Sequence, residues 1–376
     1  MAREGVRGVI VFFTIVLSIW IVLHVYVFWR AASVPVVARS VPRPALVAIA
    51  VILASSYVLA RVLSRAGADA FVVVLEFLGA EWMGILFLAF VALFVVDVVT
   101  GFGFFFREQA PSLRGGALAM AGVLSLIATA QGLRTPVVRD HEVRLKDLPR
   151  ERDGTVLVLI SDLHLGSLLG ERWMSARVAQ VAALKPDLIA VCGDILEGDS
   201  RTESALVPVL ARLSAPLGVF AVTGNHEFYA GLERSVRLLE EAGFTVLRDR
   251  SVEVCPGFVL AGVDDLTARR QYAANGAPVV KALAGRPKGA TIFLSHTPWK
   301  SDEAARAGVG LMLSGHTHAG QIWPFGYLAG INYPLLEGRY EVGGMPVIVC
   351  RGTGTWGPRM RLWRPGEILK IILRAG

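Results

Sequence analysis

The chain has 376 residues, 54% of them hydrophobic and only 18% charged, with a mean hydropathy of +0.54. A soluble domain carries about 25% charged residues, so an ordinary soluble globule is excluded, and disorder is excluded by the apolar content. Three cysteines are too few for a disulfide scaffold, while the formal net charge of +7 suits contact with an acidic surface.

The average conceals two unlike pieces. Residues 1–133 hold nine Arg, no Lys and six acids, about 11% charged against the usual quarter. The remainder is about 22% charged, which is normal for a soluble domain, and contains every Lys.

Four apolar runs lie in the first piece, predicting helices near 8–29, 44–60, 82–104 and 115–133. About 20 apolar residues cross a hydrocarbon core of ~30 Å, and backbone in lipid must pair within its own segment. Residues 1–133 therefore read as a four-helix transmembrane region. The first run is longer than the roughly 7–15 apolar residues of a signal peptide and reads as an uncleaved helix. Trp20, Tyr26, Trp29 and Trp82 lie near run ends, as interfacial anchors do. Asp97 reads as a helix-end acid facing the headgroups, and His24 as interfacial. Phe71–Leu78 is expected either at the interface or as an extension of the third helix. The arginine count ties: Arg3, Arg7, Arg61, Arg65 and Arg134 on one side, Arg30, Arg39, Arg43, Arg107 and Arg114 on the other. Arg139, Arg144 and Lys146 tilt the second piece toward the cytoplasm. The expected location is a multi-pass protein of the plasma (inner) membrane, in contact with the lipid bilayer.

Residues 134–154 are basic and polar and read as a linker. From residue 155 to 376 a rhythm repeats: a short apolar run, then polar groups. Val156–Ile160 leads to Ser161-Asp162-Leu163-His164. Leu188–Cys192 leads to Gly193-Asp194, Val219–Val222 to Gly224-Asn225-His226-Glu227, Thr291–Leu294 to Ser295-His296, and Leu311–Leu313 to Gly315-His316-Thr317-His318. Helical patterns intervene at 172–184, 203–213, 232–242 and 301–307. Strands alternating with helices predict an α/β domain, with its site beyond the strand carboxyl ends.

Five of the seven histidines sit at those strand ends, together with Asp162, Asp194 and Asn225. Oxygen and imidazole donors without thiolate suit Mn, Fe, Zn or Mg. The set is too large for one tetrahedral ion and matches two ions sharing a carboxylate. Cys192 reads as a small buried hydrophobe. Cys255 and Cys350 lack metal or redox spacing, and His141 reads as a surface residue. No GxGxxG, P-loop or G-x-S-x-G is present, and the basic residues form no nucleic-acid stripe.

The blocks Asp162-x-His164, Gly193-Asp194, Gly224-Asn225-His226-Glu227, His296 and Gly315-His316-x-His318, in this order, resemble the calcineurin-like metallophosphoesterases. Gly315–Gln321 and Arg351–Gly357 resemble the membrane-associated branch related to bacterial YkuE and YaeI. The resemblance implies a four-layer α/β/β/α metallophosphoesterase sandwich and two divalent metal ions. Asp162, His164 and His318 would hold the first metal, Asn225, His296 and His316 the second, and Asp194 both. His226 would be the catalytic general acid. The implied reaction is hydrolysis of a phosphoester or pyrophosphate bond by in-line attack of a metal-bridging hydroxide. The membrane anchor points to a phosphorylated substrate that is a phospholipid, lipid-linked or an envelope intermediate, one version being a UDP-diacylglucosamine pyrophosphate. Arg351 is a candidate substrate-binding residue; Arg359, Arg361 and Arg364 read as a solvated face. A non-catalytic membrane sensor or scaffold keeping the fold is the alternative, and it would be expected to have lost a ligand.

Overall fold

A computed structural model of the protein describes residues 2–64, 70–198, 202–272 and 276–376, without the side chains of 2–13, 64 and 202. Arg65, and the side chains of Arg3 and Arg7 from the arginine count, lie outside the described residues. The chain divides into two compact units: 2–134 with 357–363, and 135–356 with 364–376.

The first unit contains α1 (Ala2–Ala31), α2 (Pro35–Ser40), α3 (Arg43–Ser64), α4 (Ala70–Val99) and α5 (Ala110–Gly132). Among the described residues four helices are long and apolar enough to cross a membrane: Thr14–Ala31, Arg43–Leu63, Ala70–Val99 and Ala110–Gly132. Phe71–Leu78 extends α4, and its Glu76 pairs with Arg61 of α3 at 3.1 Å. α4 ends at residue 99 rather than 104, because Gly101, Phe102 and Gly103 all take positive φ, which a right-handed helix does not tolerate.

Asp97 departs from the expectation of a headgroup-facing acid. Its side chain is fully buried, 2.6 Å from Arg30 Nε and 2.9 Å from Arg114 Nη2, and Tyr26 Oη donates to it at 2.6 Å. Helix ends remote in sequence meet there, so the acid finds cations instead of water. His24 is likewise buried. Trp82 Nε1 donates to its Nε2 at 2.8 Å, which leaves Nδ1 to donate to the Trp20 carbonyl, also at 2.8 Å.

Residues 357–363 also pack in this unit. Arg359 N donates to Glu81 Oε1 (2.6 Å), Arg361 N to the Ala128 carbonyl (2.9 Å) and Trp363 N to Gln131 Oε1 (2.8 Å). The solvated face expected here is corrected: Arg361 is 1% exposed.

In the second unit, one sheet takes the order β1 (Val137–Leu145), β12 (Glu367–Ala375), β2 (Thr155–Ile160), β3 (Leu188–Cys192), β4 (Val219–Val222), β5 (Thr245–Val246). The other runs β10 (Gly338–Val342), β11 (Met345–Val349), β9 (Leu311–Ser314), β8 (Ala290–Leu294), β7 (Phe258–Gly262), β6 (Arg250–Cys255). β2 through β5 are mutually parallel, as are β7, β8, β9 and β11. The stretch read as a linker contains β1, paired in parallel with β12. Its Arg139, Asp140, Glu142 and Arg144 are the charges of an exposed edge strand, which hide it among polar residues.

Leu157, Leu159 and Phe220 of the first sheet share one core with Phe258, Ile292 and Leu311 of the second. The first sheet's other face, through Val158 and Ile160, packs on α6 (Glu171–Ala183), α7 (Thr202–Leu210) and α9 (Leu232–Glu241). Phe293 and Met312 on the far face of the second pack on α11 (Pro278–Leu283) and α12 (Ser301–Arg306). The architecture is thus an α/β/β/α sandwich, whose central strands β2, β3, β4, β7, β8 and β9 are apolar on both faces because both are covered. Short helices α8 (Asn225–Ala230), α10 (Leu266–Gln271) and α13 (Phe325–Asn332) complete it.

Candidate metal centre

The loops leaving β2, β3, β4, β8 and β9 converge. Backbone bonds continue the sheets past the strand ends: Asp162 N to the Gly193 carbonyl (3.0 Å), His164 N to Asp194 (3.0 Å), and Gly315 N to His296 (2.9 Å). Asp162, His164, Asp194, His316 and His318 all sit at φ between 48° and 72°. That left-handed region is strained for non-glycine residues, and such strain gathers at functional sites. Two glycines make room for carboxylates. A Cβ on Gly315 would lie 1.9 Å from Ser161 Oγ and 2.4 Å from Asp162 Oδ2, and one on Gly224 would lie 2.1 Å from Asp194 Oδ1.

Three groups of potential ligands gather, each with one donor atom per residue within 4.8 Å of the others: Asp162, His164, His318; His164, Asp194, His226; and Asp194, His296, His316. His164 Nε2 faces His318 Nε2 at 3.0 Å, and His316 Nδ1 faces His296 Nε2 at 3.1 Å. His318 Nε2 lies 3.2 Å from Asp162 Oδ1 and His296 Nε2 lies 3.1 Å from Asp194 Oδ2. Asn225 Oδ1 is buried with no hydrogen-bond partner. Facing imidazole nitrogens with a carboxylate beside each pair are what a cation-binding donor set looks like, and the Asn225 oxygen is a further uncommitted acceptor. The residues therefore fit divalent cations.

The outward nitrogens of three of these imidazoles are held. His164 Nδ1 contacts Glu197 Oε1, His296 Nδ1 donates to the Cys192 carbonyl at 2.7 Å, and His316 Nε2 shares a 2.8 Å hydrogen bond with Tyr333 Oη. Such partners fix ring orientation and tautomer in metal sites. Glu197 also lies 3.3 Å from His226 Nδ1. The sequence reading missed Glu197 and Tyr333. Glu197 follows Asp194 on the same loop and was within reach of a motif reading, whereas nothing local marks Tyr333. Glu227, left without a role above, accepts from the backbone N–H of Asp194, Ile195, Leu196 and Gly224 at 2.7–3.0 Å, binding two ligand loops together.

The electrostatics follow from the crowding. Burial alone would raise Asp162 and Asp194; the neighbouring His318 and His296 outweigh it and hold both carboxyls below the usual range. Burial lowers His226 too, but the Glu197 and Asp194 carboxylates prevail and raise it to about 9. Burial, then the adjacent His296, push His316 down to about 3. The His226 side chain is 13% exposed, against 0% for His296. Its ring lies 5.4 Å from that of Tyr229 and 6.2 Å from that of Trp356.

Seven of the eight expected site residues at the strand ends are thus brought together; the eighth, Asn225, directly precedes His226 with its Oδ1 buried. Arg351 is different: its guanidinium is taken up by Glu337 and lies 3.7 Å from Glu367 Oε2, so a phosphate would have to displace a carboxylate. Cys192 and Cys350 are buried and unbridged, and His141 lies half-buried on β1.

A family model described as calcineurin-like phosphoesterase matches residues 155–320. Over 271 residues the chain is 36% identical to a Danio rerio transmembrane protein with metallophosphoesterase domain, the match covering 69% of this chain and 62% of that relative. An uncharacterized metallophosphoesterase of Aquifex aeolicus is 35% identical over 63% of this chain and 91% of its own length. The uncharacterized metallophosphoesterase YkuE of Bacillus subtilis is 30% identical over 63% of this chain and 85% of its own length.

Proposed function

Because the chain belongs to the calcineurin-like metallophosphoesterase family, we propose that it is a membrane-anchored phosphoesterase that hydrolyses a phosphoester or pyrophosphate bond of a lipid-linked or envelope-related substrate. The observation that carries this reading is the convergence of two aspartates and five histidines in three overlapping groups of donors, with Asn225 Oδ1 buried and without a hydrogen-bond partner.

In this reading Asp162, His164 and His318 hold one divalent ion, Asn225, His296 and His316 hold the other, and Asp194 serves both. When bound, such a pair supplies Lewis-acid charge that polarises a phosphoryl oxygen and acidifies water. The chain's own residues do the rest. Glu197 orients the His164 and His226 rings. With His226 Nδ1 turned toward Glu197, Nε2 is the atom that gives a proton to the departing oxygen, a contribution of typically 10²–10⁴-fold. Tyr229 and Trp356 flank that ring and give an apolar part of the substrate a surface. Four membrane-spanning helices keep the domain beside phosphate-bearing lipids. The basic residues after α5 (Arg139, Arg144, Lys146) favour the cytoplasmic side.

The test is hydrolysis by purified full-length protein in detergent, with Mn²⁺, Mg²⁺ or Zn²⁺, of phospholipids, a UDP-diacylglucosamine and soluble phosphomonoesters. His226→Ala should keep two metals per chain and lose most turnover on substrates with poor leaving groups. Activity confined to soluble phosphomonoesters would remove the lipid substrate; two bound metals with no hydrolysis at all would favour a sensor.

A further inference from the structure

One helix of the phosphoesterase unit has a surface unlike its others. α13 is exposed at Tyr327 (75%), Leu328 (56%) and Ile331 (76%), and Trp323 and Phe325 just before these are exposed as well. No charged residue occurs from Ile322 to Leu336. On α9, by contrast, the exposed positions include Glu233, Arg237 and Glu240. Scattered exposed apolar residues need no explanation, but a continuous apolar surface on one helix marks a contact.

We propose that α13, with Trp323, is an interfacial helix that lies in the headgroup–acyl boundary of the bilayer beside the metal centre. Its eight residues are far short of the roughly 20 that span a membrane, so it lies on the bilayer rather than through it. Trp and Tyr with Phe, Leu and Ile are the composition of that boundary. A protein partner would be expected to meet a polar rim, and the uncharged stretch supplies no charge to select one.

The tether argues for the same occupant. α5, the last span, ends at Gly132 and β1 begins at Val137. The five steps between them reach at most about 3.6 Å each, so the unit's first strand can start no farther than roughly 18 Å from the end of a membrane helix. A bilayer is therefore within reach at all times.

The helix is also built into the metal site. Tyr333, directly after α13, holds His316, and Thr317 Oγ1 donates to the Leu336 carbonyl at 2.5 Å. A Cβ on Gly320 would lie 2.2 Å from Gly326 N, so the loop carrying His318 and the start of α13 touch backbone to backbone. A lipid phosphate leaving the bilayer at α13 arrives beside His316 and His318. This deepens the lipid-substrate reading and rests on it only for that last step.

The experiment reads contact with lipid, not turnover. Full-length protein carrying Cys255→Ser, whose other cysteines are buried, is given Leu328→Cys or Ile331→Cys, labelled with a nitrobenzoxadiazole dye, and reconstituted in phosphatidylcholine–phosphatidylglycerol vesicles. The expected result is blue-shifted emission and quenching by doxyl-labelled phosphatidylcholine several-fold stronger than for the same dye at Glu240→Cys on α9. Emission and quenching equal to the Glu240→Cys control overturn the proposal. So does a blue shift without lipid quenching, which means that protein covers the helix. A quenched dye, with unlabelled wild-type protein inactive, would sink the enzymatic reading and leave this one standing; active wild-type protein with an unquenched dye does the reverse.

Discussion

His316 Nε2 and Tyr333 Oη are 2.8 Å apart, and that bond leaves His316 Nδ1 facing His296 Nε2. The phenol therefore sets which imidazole nitrogen faces the candidate metal centre. Its ring is stacked on Trp299 with centroids 5.5 Å apart, so Tyr333→Phe keeps the packing and removes only the hydroxyl. We expect metal affinity to fall about 10–100-fold, as for other losses of a partner behind a ligating histidine, with little change in thermal stability. Metal titration followed by content analysis measures it; unchanged affinity would mean that His316 is oriented by its backbone alone.

Glu197 contacts His164 Nδ1 and lies 3.3 Å from His226 Nδ1. Glu197→Ala removes a partner from a ligand and from the proposed proton donor together. The expected outcome is a metal-affinity loss of about 10–100-fold plus a turnover defect that saturating metal does not restore. Full recovery of turnover by added metal would limit Glu197 to the His164 role.

Asp194 faces His164 at 3.9 Å and His296 at 3.1 Å, one from each proposed metal set. Asp194→Asn should lower metal content from two ions per chain to one or none. Two ions bound with ordinary affinity would show that the shared-ligand assignment is wrong.

Gly315 has no room for a side chain, because its Cβ would overlap Ser161 Oγ and crowd Asp162 Oδ2. Overpacking of this kind costs about 1–3 kcal/mol. Gly315→Ala should lower the Tm and, by displacing Asp162, weaken metal binding; a variant with native Tm and metal content would contradict the close approach.

In the helical unit, Asp97 is the buried counter-charge of Arg30 and Arg114. Asp97→Ala leaves two guanidiniums facing each other, and removing one partner of a buried pair costs about 3–5 kcal/mol. A lower unfolding temperature in detergent, with metal content unchanged, is expected. If stability is unaffected, the cluster does not hold α1, α4 and α5 together.

The candidate ligand residues were legible because each stands immediately after an apolar run. The sheet brings strand carboxyl ends to one edge, so the local order of residue types already implies convergence. The apolar runs were legible for a similar reason: lipid demands a composition, and composition is written along the chain. What holds the ligands was not legible. His164 meets Glu197 across 33 residues, His316 meets Tyr333 across 17, and His296 meets the backbone of Cys192 across 104. A tyrosine or a carbonyl carries no mark of its function until folding puts it within hydrogen-bond range. β1 was hidden by the charges that protect a sheet edge, and Asp97 by cations that lie near it only once the helices pack. The sequence by itself determined the donor types and the apolar runs, because donor type and hydropathy are properties of single residues. Only the tertiary structure decided orientation, because which nitrogen faces a cation, and which apolar face stays uncovered, depend on distances between residues that the chain keeps apart.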